Sequence, residues 1–221
     1  MTRFALGLLS VVSSVAAFLW VVGDWSWGRG WAFLTLVLLG QGASLWFVWR
    51  RNPELIRCRA RIGSGTKRWD RWWLTGFAVL YLAIWIVGAL DHRIGWSTMS
   101  PWWFAPGSLL YLLFVAGITW SMVVNPHFEK TVRIQIDRDH RVIDSGPYAI
   151  VRHPGYAAMI PGYLLPAPLL LGSWWAFLPA VSCSLWLVLR TVLEDRTLLR
   201  ELSGYEDYAG RVRYRLWPGL W

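Results

Sequence analysis

The chain reads as long apolar runs separated by short polar clusters. Runs over Phe4–Val22, Trp31–Trp49, Trp72–Leu90 and Ser108–Val124 are each long enough to cross roughly 30 Å of hydrocarbon at about 1.5 Å per helical residue. Two more, Tyr156–Leu171 and Trp174–Leu193, are separated only by Gly172-Ser173, a link that permits nothing but a tight antiparallel hairpin. The first arm of that hairpin carries Pro161, Pro166 and Pro168, so it is expected to be kinked or partly unwound. Irregular backbone at membrane depth persists only where protein or a water-filled cavity meets its freed carbonyls. The final run keeps a helical apolar pattern from Leu185 to Leu202 while acquiring Arg190, Glu194, Asp195, Arg196, Arg200 and Glu201, and Gly204-Tyr205 then breaks it. A helix emerging from lipid into water has this pattern. The whole predicts an all-α, polytopic membrane helix bundle of about six helices ending in a helical hairpin.

Composition agrees and adds a direction. At 56% hydrophobic and 16% charged residues, with 19 Trp, the chain departs from the balance of a soluble domain. Its net charge of +9 would suit nucleic acid, but the basic residues fall in loops and ends that flank apolar runs. Topology explains them without a nucleic-acid partner. The connector Arg50–Arg71 holds Arg50, Arg51, Arg57, Arg59, Arg61, Lys67, Arg68 and Arg71 against Glu54 and Asp70, whereas the opposite connectors hold Arg29 and Arg93. Both termini are therefore expected in the cytoplasm, with Arg3, the connector Asn125–Gly155 and the tail after Leu193 on that same side. The basic connector reads as a loop lying on anionic lipid headgroups. Trp69, Trp72, Trp73, Trp96, Trp102 and Trp103 read as an interfacial belt without chemistry. Phe4–Val22 is longer than a typical signal core and reads as a retained span, while Ser13, Ser14 and Ala16-Ala17 keep cleavage as the alternative. Cys58 and Cys183 stand alone, so free thiols and no metal site are expected.

Candidate chemistry concentrates in Gln135–Tyr156, QIDRDHRVIDSGPYAIVRHPGY. Gly146-Pro147 marks a turn, and Pro154-Gly155 follows Arg152-His153 as a break that opens a new helix. No dinucleotide-binding GxGxxG, no GxxxxGK[ST], no GxSxG and no HExxH occurs, so any nucleotide cofactor must sit in a helical site. A polar segment held at the water interface between spans can take a soluble cofactor while the bilayer delivers an oily substrate. The division expected is a single domain, with residues 1–124 as scaffold and 125–221 as the cofactor and catalytic part. His92 and His127 lack such context and read as structural.

The combination SGPYAIVRHPGY, a hairpin, RTVLED and GYEDYAGRVRYRLWP resembles the isoprenylcysteine carboxyl methyltransferase family of membrane methyltransferases. The likeness is strongest over Asn125–Trp221 and extends weakly to NPELIRCRA and GTKRWDRW, which look like bacterial members and so imply a bacterial inner membrane. It implies S-adenosyl-L-methionine as cofactor, held by His140, Arg141, Val142, Ile143, Tyr148, His153, Pro154, Gly155, Tyr156 and Glu194, with Gln135 as the preceding glutamine. It further implies that Arg190 meets the carboxylate of a lipophilic or lipidated acceptor such as prenylcysteine. Two departures stand out: the spacing from Gln135 to His140 is short, and the family's Glu-Glu pair is Glu194-Asp195 here.

Elementary chemistry runs parallel to this. Methyl transfer from a sulfonium is an in-line displacement in which alignment alone is worth roughly 7 to 11 kcal/mol. A carboxylate nucleophile is already ionised at neutral pH, leaving Arg190 to orient it and Glu194, one helical turn away, to hold that guanidinium. A thiol or amine acceptor would instead require His153 or Glu194 as base. Two rivals remain open at this point. Membrane sterol reductases carry a related RHxxY and a Tyr-rich tail, which would make the chain an NADPH-dependent double-bond reductase, and a non-enzymatic membrane scaffold would use Arg190 and Glu194 only as an ion pair.

Overall fold

The computed structural model describes residues 15, 16 and 18–221, so most of the predicted first span lies outside the described residues. Among these, the chain is helical throughout with no strand. Helix α1 (Gly28–Arg51) leads into the short α2 (Pro53–Arg59), then α3 (Arg68–Ile94) and, through the 3-10 turn Pro101–Trp103, α4 (Phe104–Val124). After a long connector come α5 (Pro154–Met159), a π turn (Ile160–Leu164) and α6 (Pro166–Leu171), then α7 (Phe177–Glu201) and α8 (Tyr205–Arg211). Among the described residues four helices, α1, α3, α4 with its entering turn, and α7, are long and apolar enough to cross a membrane. Their outward faces expose Leu38, Trp46, Val79, Leu82, Leu109, Leu113 and Leu185, a surface that suits hydrocarbon and not water. The protein is an integral membrane protein.

Local chemistry sets the element boundaries. Pro53 and Pro154 occupy first-turn positions, where a missing N–H costs nothing, and the Asn52 side chain accepts from the Leu55 N–H at 3.2 Å as the cap of α2. The expected irregularity in the first hairpin arm is a π turn, closed by Leu165 N donating to Ile160 O at 3.1 Å. Pro161 within it lacks an N–H, so the ladder cannot continue in α register there. A Cβ on Gly162 would lie 2.4 Å from Phe114 Cβ and 2.9 Å from Leu110 O. Only glycine lets this turn press against α4.

The tip of the hairpin reaches Arg29 at the start of α1 and Asp91 near the end of α3. There, Ser173 Oγ donates to the buried Asp91 carboxylate at 2.5 Å, and Arg29 donates to the carbonyls of Leu169 at 2.5 Å and Leu170 at 3.1 Å. These bonds satisfy the last carbonyls of α6. At the opposite end of the bundle the connector after α1, the connector after α4 and the tail meet. Lys67 N donates to Val132 O at 3.0 Å, Lys67 Nζ pairs with Glu201 at 2.6 Å, and Arg138 Nε reaches Glu54 at 3.2 Å.

Beyond the break at Gly204 the chain forms α8 and is stitched down. Arg152 N and His153 N donate to Tyr214 O and Arg215 O, both at 2.9 Å, and Trp217 Nε1 donates to Ala157 O at 3.1 Å.

Candidate functional site

At this end of the bundle lies a cavity of about 370 Å3. Gln135, His140, Arg141, Val142, Ile143, Tyr148, His153, Gly155, Tyr156, Arg190 and Glu194 all stand on its wall. Pro154 does not. It is buried beside the cavity, where it starts α5. Gly155 has a packing reason: a Cβ there would sit 2.6 Å from the Phe128 ring, so the absent side chain lets that ring form part of the wall.

The connector is held in shape by its own polar groups. Gln135 is 2% exposed; its side-chain N–H donates to His127 O at 2.7 Å, and its Oε1 accepts from Arg138 Nη1 at 2.8 Å. The backbone carbonyl of Gln135 accepts from Arg138 N at 2.9 Å and His140 N at 3.3 Å. The residue thus braces the turn that presents His140 to Ile143. Arg133 bridges Glu129 at 2.9 Å and Asp137 at 2.6 Å, and burial of that cluster adds a second brace.

The His140 and His127 rings lie 4.6 Å apart between centroids, tilted by 41°. Burial, with His127, Arg133 and Arg138 nearby, holds the His140 imidazole down at about 4, and burial lowers His127 as well. The neutral His140 accepts through Nδ1 from the Gln135 N–H at 3.3 Å, a bond that protonation removes. Since the folded pKa lies below the ordinary value of 6.5, the unfolded chain binds more protons between these two values. Stability therefore falls as pH drops from about 6.5 to about 4. Thermal unfolding in detergent should display this acid-side loss, and His140→Asn should reduce its slope.

Deeper in, Arg190 comes from α7 and is buried. The anticipated partner Glu194 is 3.7 Å away, whereas Asp70, from the first turn of α3, lies at 3.1 Å from Nε and 3.3 Å from Nη2. Nη2 also donates to Lys130 O at 2.7 Å, and the guanidinium lies 4.4 Å over the Trp73 ring. Asp70 is fully buried and accepts from Val132 N at 2.7 Å. The expected Arg190–Glu194 pair is present at 3.7 Å, with Asp70 as a second, unanticipated partner. Asp70 is the closer carboxylate, and Glu194 also accepts from Tyr156 OH at 2.7 Å. Among the described residues Arg190 Nη1 and Glu194 Oε1 have no hydrogen-bond partner.

Asp195, next along α7, is a fully buried hub. It meets His153 Nε2 at 3.2 Å, Arg152 Nη1 at 3.3 Å, Arg215 Nε at 2.9 Å and Tyr205 OH at 2.9 Å. One carboxylate ties the RHPGY motif to both parts of the tail. Burial pushes the Tyr205 and Tyr208 phenols up, so both stay neutral donors, Tyr208 to Tyr148 O at 2.8 Å.

Several wall residues were not legible as such. Trp73 is buried beneath Arg190 and is not part of an exposed belt. His127 joins the wall, while His92 stacks on Trp27 at 4.3 Å at the far end. Arg59, counted above among the lipid-facing cations, also lines the cavity. An acidic residue at the mouth of a span was the available signal for Asp70; Arg59 offered none.

Residues 109–200, somewhat less than half of the chain, match the family model of isoprenylcysteine carboxyl methyltransferase (ICMT). Over this stretch the chain is similar to the ICMT family. The match supports a membrane methyltransferase in general, and the matched region spans most of α4, the connector, the hairpin and Arg190, Glu194 and Asp195. No curated protein and no solved structure matches the chain. Among the described residues no cluster of His, Cys, Asp or Glu is arranged to hold a metal ion.

Proposed function

We propose that the protein uses S-adenosylmethionine to methylate a carboxylate on a lipophilic acceptor taken from the bilayer. The observation that carries this reading is the placement of Arg190. It stands where the polar wall meets an apolar well, with one end of its fork already fixed and Nη1 left over. The well is lined by Leu45, Leu74, Phe77, Phe114 and Ile118. Along α4, Phe114 lies about 15 Å from the end of the helix at Val124, at about 1.5 Å per residue. That depth reaches roughly the middle of a bilayer, as a lipid tail requires.

The polar wall fits the donor. The Tyr148 hydroxyl is buried with no hydrogen-bond partner among the described residues, and buried polar atoms left unpaired around a hollow favour a ligand that pairs them. Tyr148, Tyr156, Gly155 and His140 to Ile143 would surround it, with Gln135 acting through the turn it braces. Glu194 keeps Oε1 for a cationic ligand. When bound, S-adenosylmethionine supplies a methyl group on a sulfonium centre. Arg190 orients the acceptor carboxylate, and Asp70 with the Lys130 carbonyl prevents the guanidinium from swinging. The nucleophile needs no base, since a carboxylate is ionised at neutral pH. Tyr205, Tyr208 and the tail close the aqueous side and keep water from the reacting atoms.

The end bearing the site carries most of the Lys and Arg, which supports a reading in which it and both termini face the cytoplasm, in a bacterial inner membrane. Residues 125–221 then supply most of the cofactor and catalytic part of one domain, and residues 1–124 act as its scaffold while also contributing the apolar well, Arg59 and Asp70. The test is transfer of labelled methyl from S-adenosylmethionine to lipophilic acids, thiols and amines in liposomes. A base-labile methyl on an acid such as acetylated farnesylcysteine is expected. Transfer to thiols or amines alone would overturn the carboxylate assignment, and saturable binding of NADPH without any of S-adenosylmethionine would overturn the donor.

A further inference from the structure

Arg59 is the last residue of α2, in a connector whose charge distribution reads as a lipid-facing loop. The fold turns it inward instead. Its Nη1 donates to Phe128 O at 2.8 Å, and its guanidinium lies 5.3 Å over the Phe128 ring. That carbonyl is its sole hydrogen-bond partner among the described residues, and no carboxylate comes within 4.0 Å of it. Arg141, on the same wall, is exposed to solvent, and the more buried arginines around the cavity are paired. Arg190 has Asp70, Arg133 has Glu129 and Asp137, and Arg152 and Arg215 share Asp195. Glu129, the acid nearest in chain to Phe128, is turned onto Arg133. Desolvation pulls the partly buried Arg59 guanidinium below its ordinary range, with Arg190 adding to the shift and Glu129 opposing it. A partly desolvated cation without a carboxylate in contact is unfavourable, and a ligand anion relieves it.

We infer that Arg59 anchors the carboxylate of the methionyl end of the donor, a task separate from that of Arg190. The assignment rests on the proposal that the donor is S-adenosylmethionine. Two anionic groups enter such a site, the acceptor carboxylate and the methionyl carboxylate, and they make opposite demands. The acceptor carboxylate must keep a reactive lone pair, so it suits a guanidinium whose charge is already shared, as that of Arg190 is with Asp70 and Glu194. The methionyl carboxylate takes no part in the displacement, and an unshared guanidinium can bind it at full strength. Location agrees. Phe128, which carries Arg59, packs on Gly155 between His153 and Tyr156, in the polar wall.

The experiment compares equilibrium binding of S-adenosylmethionine and of its decarboxylated analogue to the full-length protein in detergent, by calorimetry without acceptor. Wild type should prefer the intact donor. In Arg59→Gln, affinity for the intact donor should fall about 10- to 100-fold, as for loss of a charge-assisted pair, while affinity for the decarboxylated analogue stays unchanged. Arg59→Lys should recover part of the difference. Unchanged binding of the intact donor with a raised KM for the acceptor would move Arg59 to the acceptor and overturn the inference. An equal loss for both ligands would reduce it to a structural residue. If wild type binds neither ligand, the donor reading itself fails, an outcome distinct from failure at Arg59 alone.

Discussion

Arg190→Gln should lower kcat/KM for methyl transfer by at least about 100-fold, since a carboxylate that loses its fork also loses its line of attack. Arg190→Lys should rescue little, because an ammonium cannot present two parallel N–H groups. The same substitution has a structural cost. It strands Asp70, fully buried on α3, with only the Val132 N–H at 2.7 Å for company, and breaking a buried pair from one side costs about 3–5 kcal/mol. The two effects separate in the double variant Arg190→Gln with Asp70→Asn, which removes the orphaned charge. Thermal unfolding in detergent should recover most of the lost stability, and methyl transfer should not recover. Equal recovery of both would mean that Arg190 serves the fold alone.

Asp195→Ala should be the most destabilising single change in the tail region, by about 3–5 kcal/mol. One carboxylate is all that stands between Arg152, His153, Arg215 and Tyr205, and its removal leaves two guanidinium groups facing each other without compensation. The tail then loses its anchor to α7, keeping the backbone bonds from Arg152 and His153 and those of Trp217 to Ala157 O and Tyr208 to Tyr148 O. Limited trypsin digestion should cut at Arg211, Arg213 and Arg215 much faster than in wild type. Donor affinity should fall in parallel, because the tail covers the wall that carries Tyr148. Asp195→Asn keeps the shape and should lie between. A tail as resistant as wild type in Asp195→Ala would refute the hub.

The apolar runs by themselves determined the bundle, the hairpin and the irregular first arm, because a segment without water must satisfy its backbone internally and so must be helical. Sequence alone also brought out RHPGY and the paired Arg190 and Glu194, since proline and a polar cluster between spans are local signals that need no partner. Tertiary structure alone decided who holds whom. Asp70 reaches Arg190 across α3 and α7, Arg59 turns from the lipid surface into the cavity, and Asp195 gathers four residues from two distant stretches. Helical spacing predicts only neighbours three or four residues apart. Which buried charge finds which carboxylate depends on how helices far apart in the chain pack, and in a bilayer that choice is fixed by close contacts and polar pairing that no single run of residues contains.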